Sequence, residues 1–144
     1  MTQATDHPTA AAEGDRLPPI DVPAMRASAR RLLSGDAGDP APDEVPVMIS
    51  TLRGHLELIT PVVERVAALK PDDDRGWTVP VNCAIIAAAD TRRTMRVETP
   101  SGRESAVRHA RRLARRLNAM CDHFQTLVSD HPETSDQPGE HPEV

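Results

Sequence analysis

Apolar positions recur at spacings of three and four through four stretches of the chain, with polar residues between them. The longest stretch, RESAVRHARRLARRLNAMCDHFQTLV at residues 103–128, holds neither Gly nor Pro. At about 100° per residue, Ala106, Ala110, Leu113, Leu117, Met120, Cys121, Phe124, Leu127 and Val128 gather on one face. Arg108, Arg111, Arg112, Arg115 and Arg116 gather on the other. The spacing predicts an amphipathic helix of about seven turns with a core face and a basic ridge.

Three more elements follow from the same pattern. MRASARRLL carries Met25, Ala29, Leu32 and Leu33 on one face, with Asp21 as its cap, Pro23 in its first turn and Gly35 to end it. Residues 36–42 form a linker. A second long helix is predicted from near Asp43 to about Leu69, where Val45, Met48, Ile49, Leu52, Leu56, Ile59, Val62, Val63, Val66 and Leu69 make a wide apolar arc. Pro61 lies inside it and predicts a kink or a break near Glu57–Pro61, because proline removes one i→i−4 bond. A third helix is expected from about Val79 to Val97. Its NCAIIAAAD segment is apolar nearly all round, which places it at the centre of the bundle. The fold class is therefore all-α: a small bundle of three long helices and one short N-terminal helix, spanning 21–129. Residues 1–20 and the acidic segment 130–144 read as disordered tails from their Pro-rich, core-poor composition.

Composition narrows the material of the core. Aromatic residues are 1% of the chain, Trp77 and Phe124, so Ala, Val, Leu and Ile must build it. Small residues suit close helix packing better than a sheet. The net charge of −5 is unevenly spread. Residues 130–144 carry five acids and no Lys or Arg, while residues 99–128 carry six Arg against Glu104 and Asp122. The ridge is thus placed to pair with the chain's own tail, and Asn118 and Asp122 to join Arg115 and Arg111 in a surface network. An apolar run of membrane-spanning length (about 20 residues) is missing, and so are the basic and apolar regions of a signal peptide, so the chain reads as cytoplasmic. Lys70 is the single lysine among 17 basic residues, a bias resembling that of GC-rich actinobacterial genomes.

Candidate chemistry is sparse. No Gly-rich phosphate loop, GxSxG, HExxH or CxxC occurs. His55, His109, His123, Cys83 and Cys121 share no metal-site spacing, so no cofactor or metal is assigned. Both cysteines sit among apolar residues and read as small hydrophobes. His55 lies within the arc of the second helix, either as a pocket base or as a half-buried ring bonded to a neighbouring helix; the second is adopted. Arg92 lies on an inward line, with Asp90, Glu57 and Glu64 as candidate partners, and is read as reaching out at the bundle rim. The arginine ridge offers phosphate contacts, but an acidic chain without aromatic readout favours a solvated face.

Three segments, MRASARRLL at 25–33, LRGHLELITPVVE at 52–64 and HARRLARRLNAMCDHF at 109–124, together with CAIIAAADTRRTM between the last two, resemble an actinobacterial family of small uncharacterised helical proteins associated with natural-product biosynthesis. The resemblance spans about residues 25–128. It implies a small helical fold and a setting beside specialised-metabolite genes, and carries no activity, cofactor or catalytic residue. The reading that follows is a non-catalytic accessory or regulatory protein acting through helix faces on a protein partner of a biosynthetic pathway. The alternative is a nucleic-acid-associated regulator using the arginine ridge. A core so poor in aromatics further predicts a homodimer, with the second or fourth helix in the interface.

Overall fold

The structure, a computed structural model, describes residues 17–35 and 38–129. Within them the chain forms α1 (Val22–Leu33), α2 (Val45–Ala68), α3 (Thr78–Arg96) and α4 (Arg103–Val128), with one 3-10 turn at Arg75–Trp77 and no strand. No helix among the described residues is long and apolar enough to cross a membrane. The expectations for 1–16 and 130–144, and the pairing of the ridge with the acidic segment, lie outside the described residues. Leu17 and Ile20, assigned by sequence to the tail, pack partly buried against the core, so the ordered region begins ahead of Val22.

α1 has a local start and stop. The Asp21 carboxylate accepts the Ala24 N–H at 3.1 Å and caps α1, with Pro23 in the first turn where a missing N–H costs nothing. Gly35 does not end this helix. Ser34 does, by turning extended (φ −76°, ψ 127°), and the left-handed residue of the connection is Gly38 at φ 71°. α2 runs unbroken through Pro61. The proline is exposed, so the Glu57 carbonyl that loses its helical donor lies on the solvent side of the helix. Thr78 follows the 3-10 turn directly, and Trp77 is buried with the Lys70 ammonium 3.8 Å over its ring.

The core lies along α2 and α4, which pack most extensively on each other. Leu52, Leu56, Ile59, Val63, Leu113, Leu117, Met120 and Leu127 are almost wholly shielded from solvent. α1 lies chiefly against α4, and α3 covers α2 and α4 from the other side. α3 is therefore peripheral and not central. Its inward line is Ala84, Ala88, Thr91 and Thr94, small side chains that let it approach closely. Val79, Ile85 and Ile86 are 68%, 49% and 62% exposed. A helix that is apolar all round has no preferred face, and the small-residue line decided which side turned in. Cys83 is exposed with them, against the expectation for both cysteines; only Cys121 is buried, and burial pushes its thiol pKa up. The α2 and α4 arcs, expected in a homodimer interface, are buried over most of their length, while Leu69 and Val128 at their ends are exposed together with the aliphatic side chains of α3. Ile86→Ser is expected to change the unfolding free energy by under about 0.5 kcal/mol in a denaturant titration, the usual range for exposed positions.

Thr60 is fully buried and its hydroxyl has no hydrogen-bond partner. A buried hydroxyl without a partner loses its water and gains nothing. Thr60→Val keeps the shape and removes that loss, so it is expected to stabilise the protein by about 1 kcal/mol, read as a higher denaturant midpoint at unchanged slope.

Candidate functional site

A concavity of about 830 Å³ lies between the first half of α2 and the start of α4. Val45 and Ile49 of α2 point toward the core, and the next stripe around that helix, Pro46, Ser50, Arg53, Gly54 and Glu57, forms one wall. The turn Thr99–Ser101 with Arg103 and Ala106 forms the other, and Pro42 closes an end. This volume lies in the range of small-molecule sites, about 300–1,000 Å³. Gly54 sits in the middle of a 24-residue helix, where glycine costs about 0.5–1 kcal/mol against alanine. A methyl added there would meet no atom within 4 Å. Packing within the protein therefore does not require glycine; its effect is to let the cleft reach the helix backbone.

The cleft is electropositive at its base. Arg53 does not fold along α2 toward Glu57, one turn on. Its Nη1 donates to the Met95 carbonyl and its Nη2 to the Val97 carbonyl, each at 2.7 Å, and these bonds cap the C-terminal end of α3. Nη2 also lies 3.3 Å from His109 Nε2. A guanidinium has no acceptor, so this contact is a hydrogen bond only when the ring is neutral with its lone pair on Nε2. Burial, then the charges of Arg53 and Arg112, hold the His109 pKa below its ordinary 6.5. Arg103 donates to the Pro40 carbonyl at 2.8 Å. The N-cap of α4 is Gly102, with no side-chain cap, so the first-turn N–H groups at the rim of the cleft lack that partner.

The sign of the His109 effect on stability follows from linkage. Above pH 6.5 the ring is neutral in both states; below it the unfolded chain takes up a proton that the folded site resists. Unfolding then binds protons, and stability falls as the pH drops through 6.5. His123, also lowered by burial, acts in the same direction. Melting temperatures are expected to fall from about pH 7.5 to pH 5.5, and to fall less in His109→Gln, above the range where carboxylates titrate.

Neither His55, Arg92 nor the arginines of the ridge, the candidate functional residues of the sequence, line this cleft. His55 Nε2 lies 3.3 Å from the Ser28 hydroxyl of α1, half-buried. That hydroxyl is also 3.3 Å from the Ala24 carbonyl, and neither Ser28 nor His55 lines the cleft. Arg92 pairs with Glu64 of α2 through Nε at 2.9 Å and Nη2 at 2.6 Å, with the two side chains 41% and 38% exposed. It clamps α3 to α2 at the rim and holds the Glu64 carboxyl below its ordinary range. The ridge divides. Arg111 donates from Nε to the Leu32 carbonyl at 3.1 Å, closing the end of α1, and from Nη2 to Asp39 at 2.8 Å. Arg108 donates to Ser105, one turn back. Arg112, Arg115 and Arg116 line a shallow depression of about 350 Å³, with Arg116 at 4.0 Å from Asp90. The expected network of Asn118 and Asp122 with Arg115 and Arg111 does not form. Asp122 pairs with Arg26 of α1 at 2.6 Å, and the Asn118 carbonyl oxygen is buried without a partner. The described residues hold no group of three or more His, Cys, Asp or Glu that could hold a metal ion.

Fold and cleft together define a small all-α protein with a large open concavity whose charged lining is two guanidiniums and a carboxylate. The chain belongs to a family of unknown function, DUF6415, whose model matches residues 23–129. No curated protein and no solved structure matches it.

Proposed function

We propose that this protein is a non-catalytic accessory or regulatory protein of actinobacterial specialised metabolism, and that it works by binding in the α2–α4 cleft. The observation that carries the reading is Gly54, a helix-weakening residue opening onto a concavity of about 830 Å³. Two features support a binding role over catalysis. Arg53 is committed to the end of α3, and the buried His109 does not line the cleft as a base. The setting in specialised metabolism is supported by the likeness of the 25–33, 52–64 and 109–124 segments and by the arginine-rich composition. The test uses the neutral fluorophore N-phenyl-1-naphthylamine. It is expected to brighten on titration with the protein, and Gly54→Leu, which fills the cleft from its helical wall, to abolish this without lowering the melting temperature. Equal brightening by both proteins would sink the reading.

A second reading, binding of nucleic acid through the ridge, is favoured by the convergence of Arg112, Arg115 and Arg116 on one depression. Retention on heparin that falls steeply with salt supports it; elution at low salt removes it.

A further inference from the structure

We propose that the α2–α4 cleft takes a small amphipathic oxyanion, a carboxylate or phosphate head on an apolar body. This rests on the reading of the cleft as a binding site and goes on to name the chemistry of its ligand.

Two cations line the cleft, Arg53 and Arg103, against the single carboxylate of Glu57. Glu57 stands one helical turn from Arg53, yet the pair does not neutralise itself, because Arg53 is drawn to the Met95 and Val97 carbonyls. Those acceptors are neutral, so the guanidinium keeps its full charge while its position is fixed. His109 accepts from Arg53 only as a neutral ring and adds no counter-charge. Among the described residues Arg103 likewise donates to a neutral group, the Pro40 carbonyl, and the nearby Asp39 carboxylate, which feels the Arg103 charge, is hydrogen-bonded to Arg111 instead. Both guanidiniums retain N–H donors beyond these bonds, Nε–H and an Nη1 hydrogen on Arg53 among them.

The surroundings of the cations suit an oxyanion. The first turn of α4 has no side-chain cap, and its N-terminal end carries the positive pole of a 26-residue helix. Ser50 and Ser101 bring hydroxyls to the same walls. The rest of the lining is mostly apolar, with Val45, Pro46, Ile49 and Ala106 among it, which gives an apolar body somewhere to lie beside a charged head. Gly54 lets that body reach the α2 backbone. A bare inorganic anion would leave the apolar wall uncovered, and a neutral hydrocarbon would leave the guanidiniums without an anionic partner.

The experiment is displacement of N-phenyl-1-naphthylamine by decanoate, decyl phosphate, decanol and decylammonium, each below its micelle concentration. Decanoate or decyl phosphate is expected to compete at least about tenfold better than decanol, the lower end for a charge-assisted hydrogen bond. Which of the two is stronger assigns the head as carboxylate or phosphate. Arg103→Gln, remote from the α3 cap, is expected to bring the anion to within about threefold of decanol while decanol itself is unchanged. Equal competition by decanol, stronger competition by decylammonium, or an anion preference untouched by Arg103→Gln overturns the inference. In those outcomes dye binding that is still lost in Gly54→Leu leaves the cleft reading standing. Dye binding that is absent, or unaffected by Gly54→Leu, removes the cleft reading and the inference together.

Discussion

Leu117→Ala and Ile59→Ala are each expected to destabilise the protein by roughly 2–5 kcal/mol. Both side chains are fully buried, one on each of the two helices that form the core. Truncation removes the transfer free energy of the lost carbons and leaves a cavity that close-packed neighbours fill only in part. The loss is large against the roughly 5–15 kcal/mol that a domain of this kind holds in reserve. Urea titration checks it, through a lower midpoint at unchanged slope. Melting within a degree or two of wild type for both variants would mean that the α2 and α4 arcs do not form the core.

Arg53→Met is expected to cost about 2 kcal/mol, less than a core truncation and well above an ordinary surface change. The variant keeps the aliphatic stem and removes the guanidinium from the Met95 and Val97 carbonyls. A hydrogen bond from a charged donor contributes about 1.5–3 kcal/mol, and water reaching the exposed Val97 offsets part of the combined loss. A second signature separates this role from a packing role. Arg53 is one of the charges that depress the His109 pKa, so its removal lets the ring take up a proton at higher pH in the folded state. The fall in stability below pH 6.5 should become shallower in Arg53→Met. A variant that loses stability with the wild-type pH profile would show that Arg53 and His109 are uncoupled.

The helices themselves were legible in the residues. The uninterrupted three-and-four spacing of 103–128 sets α4, and the same spacing with Asp21 and Pro23 sets α1. An amphipathic stripe names its own buried face, because turning it outward would expose every large aliphatic at once. That is why Leu113, Leu117, Leu52 and Ile59 are buried as the pattern predicts. The order of the helices in the bundle was not legible. The NCAIIAAAD segment of α3 is apolar nearly all round, so it carries no direction, and the small Ala84 and Ala88 pack inward while Ile85 and Ile86 face outward. Gly54 was the one sequence signal for the cleft, a glycine inside a strong helical pattern, and it gives no hint of what stands opposite.

An all-α chain, the course of its four helices and most of its core were readable in the residues, since each depends on neighbours within a turn or two; Leu69 and Val128, at the ends of the α2 and α4 arcs, are exposed because no helix reaches over them. The tertiary structure alone decided that Arg53 reaches the end of α3, that Arg111 closes α1, that Arg92 joins Glu64, and that α2 and the start of α4 enclose a cleft. Those contacts join residues from 28 to 79 positions apart. An arginine has the same side chain whether it ends in water or on a distant carbonyl; the packing of helices sets its partner, and periodicity along one helix holds no record of it.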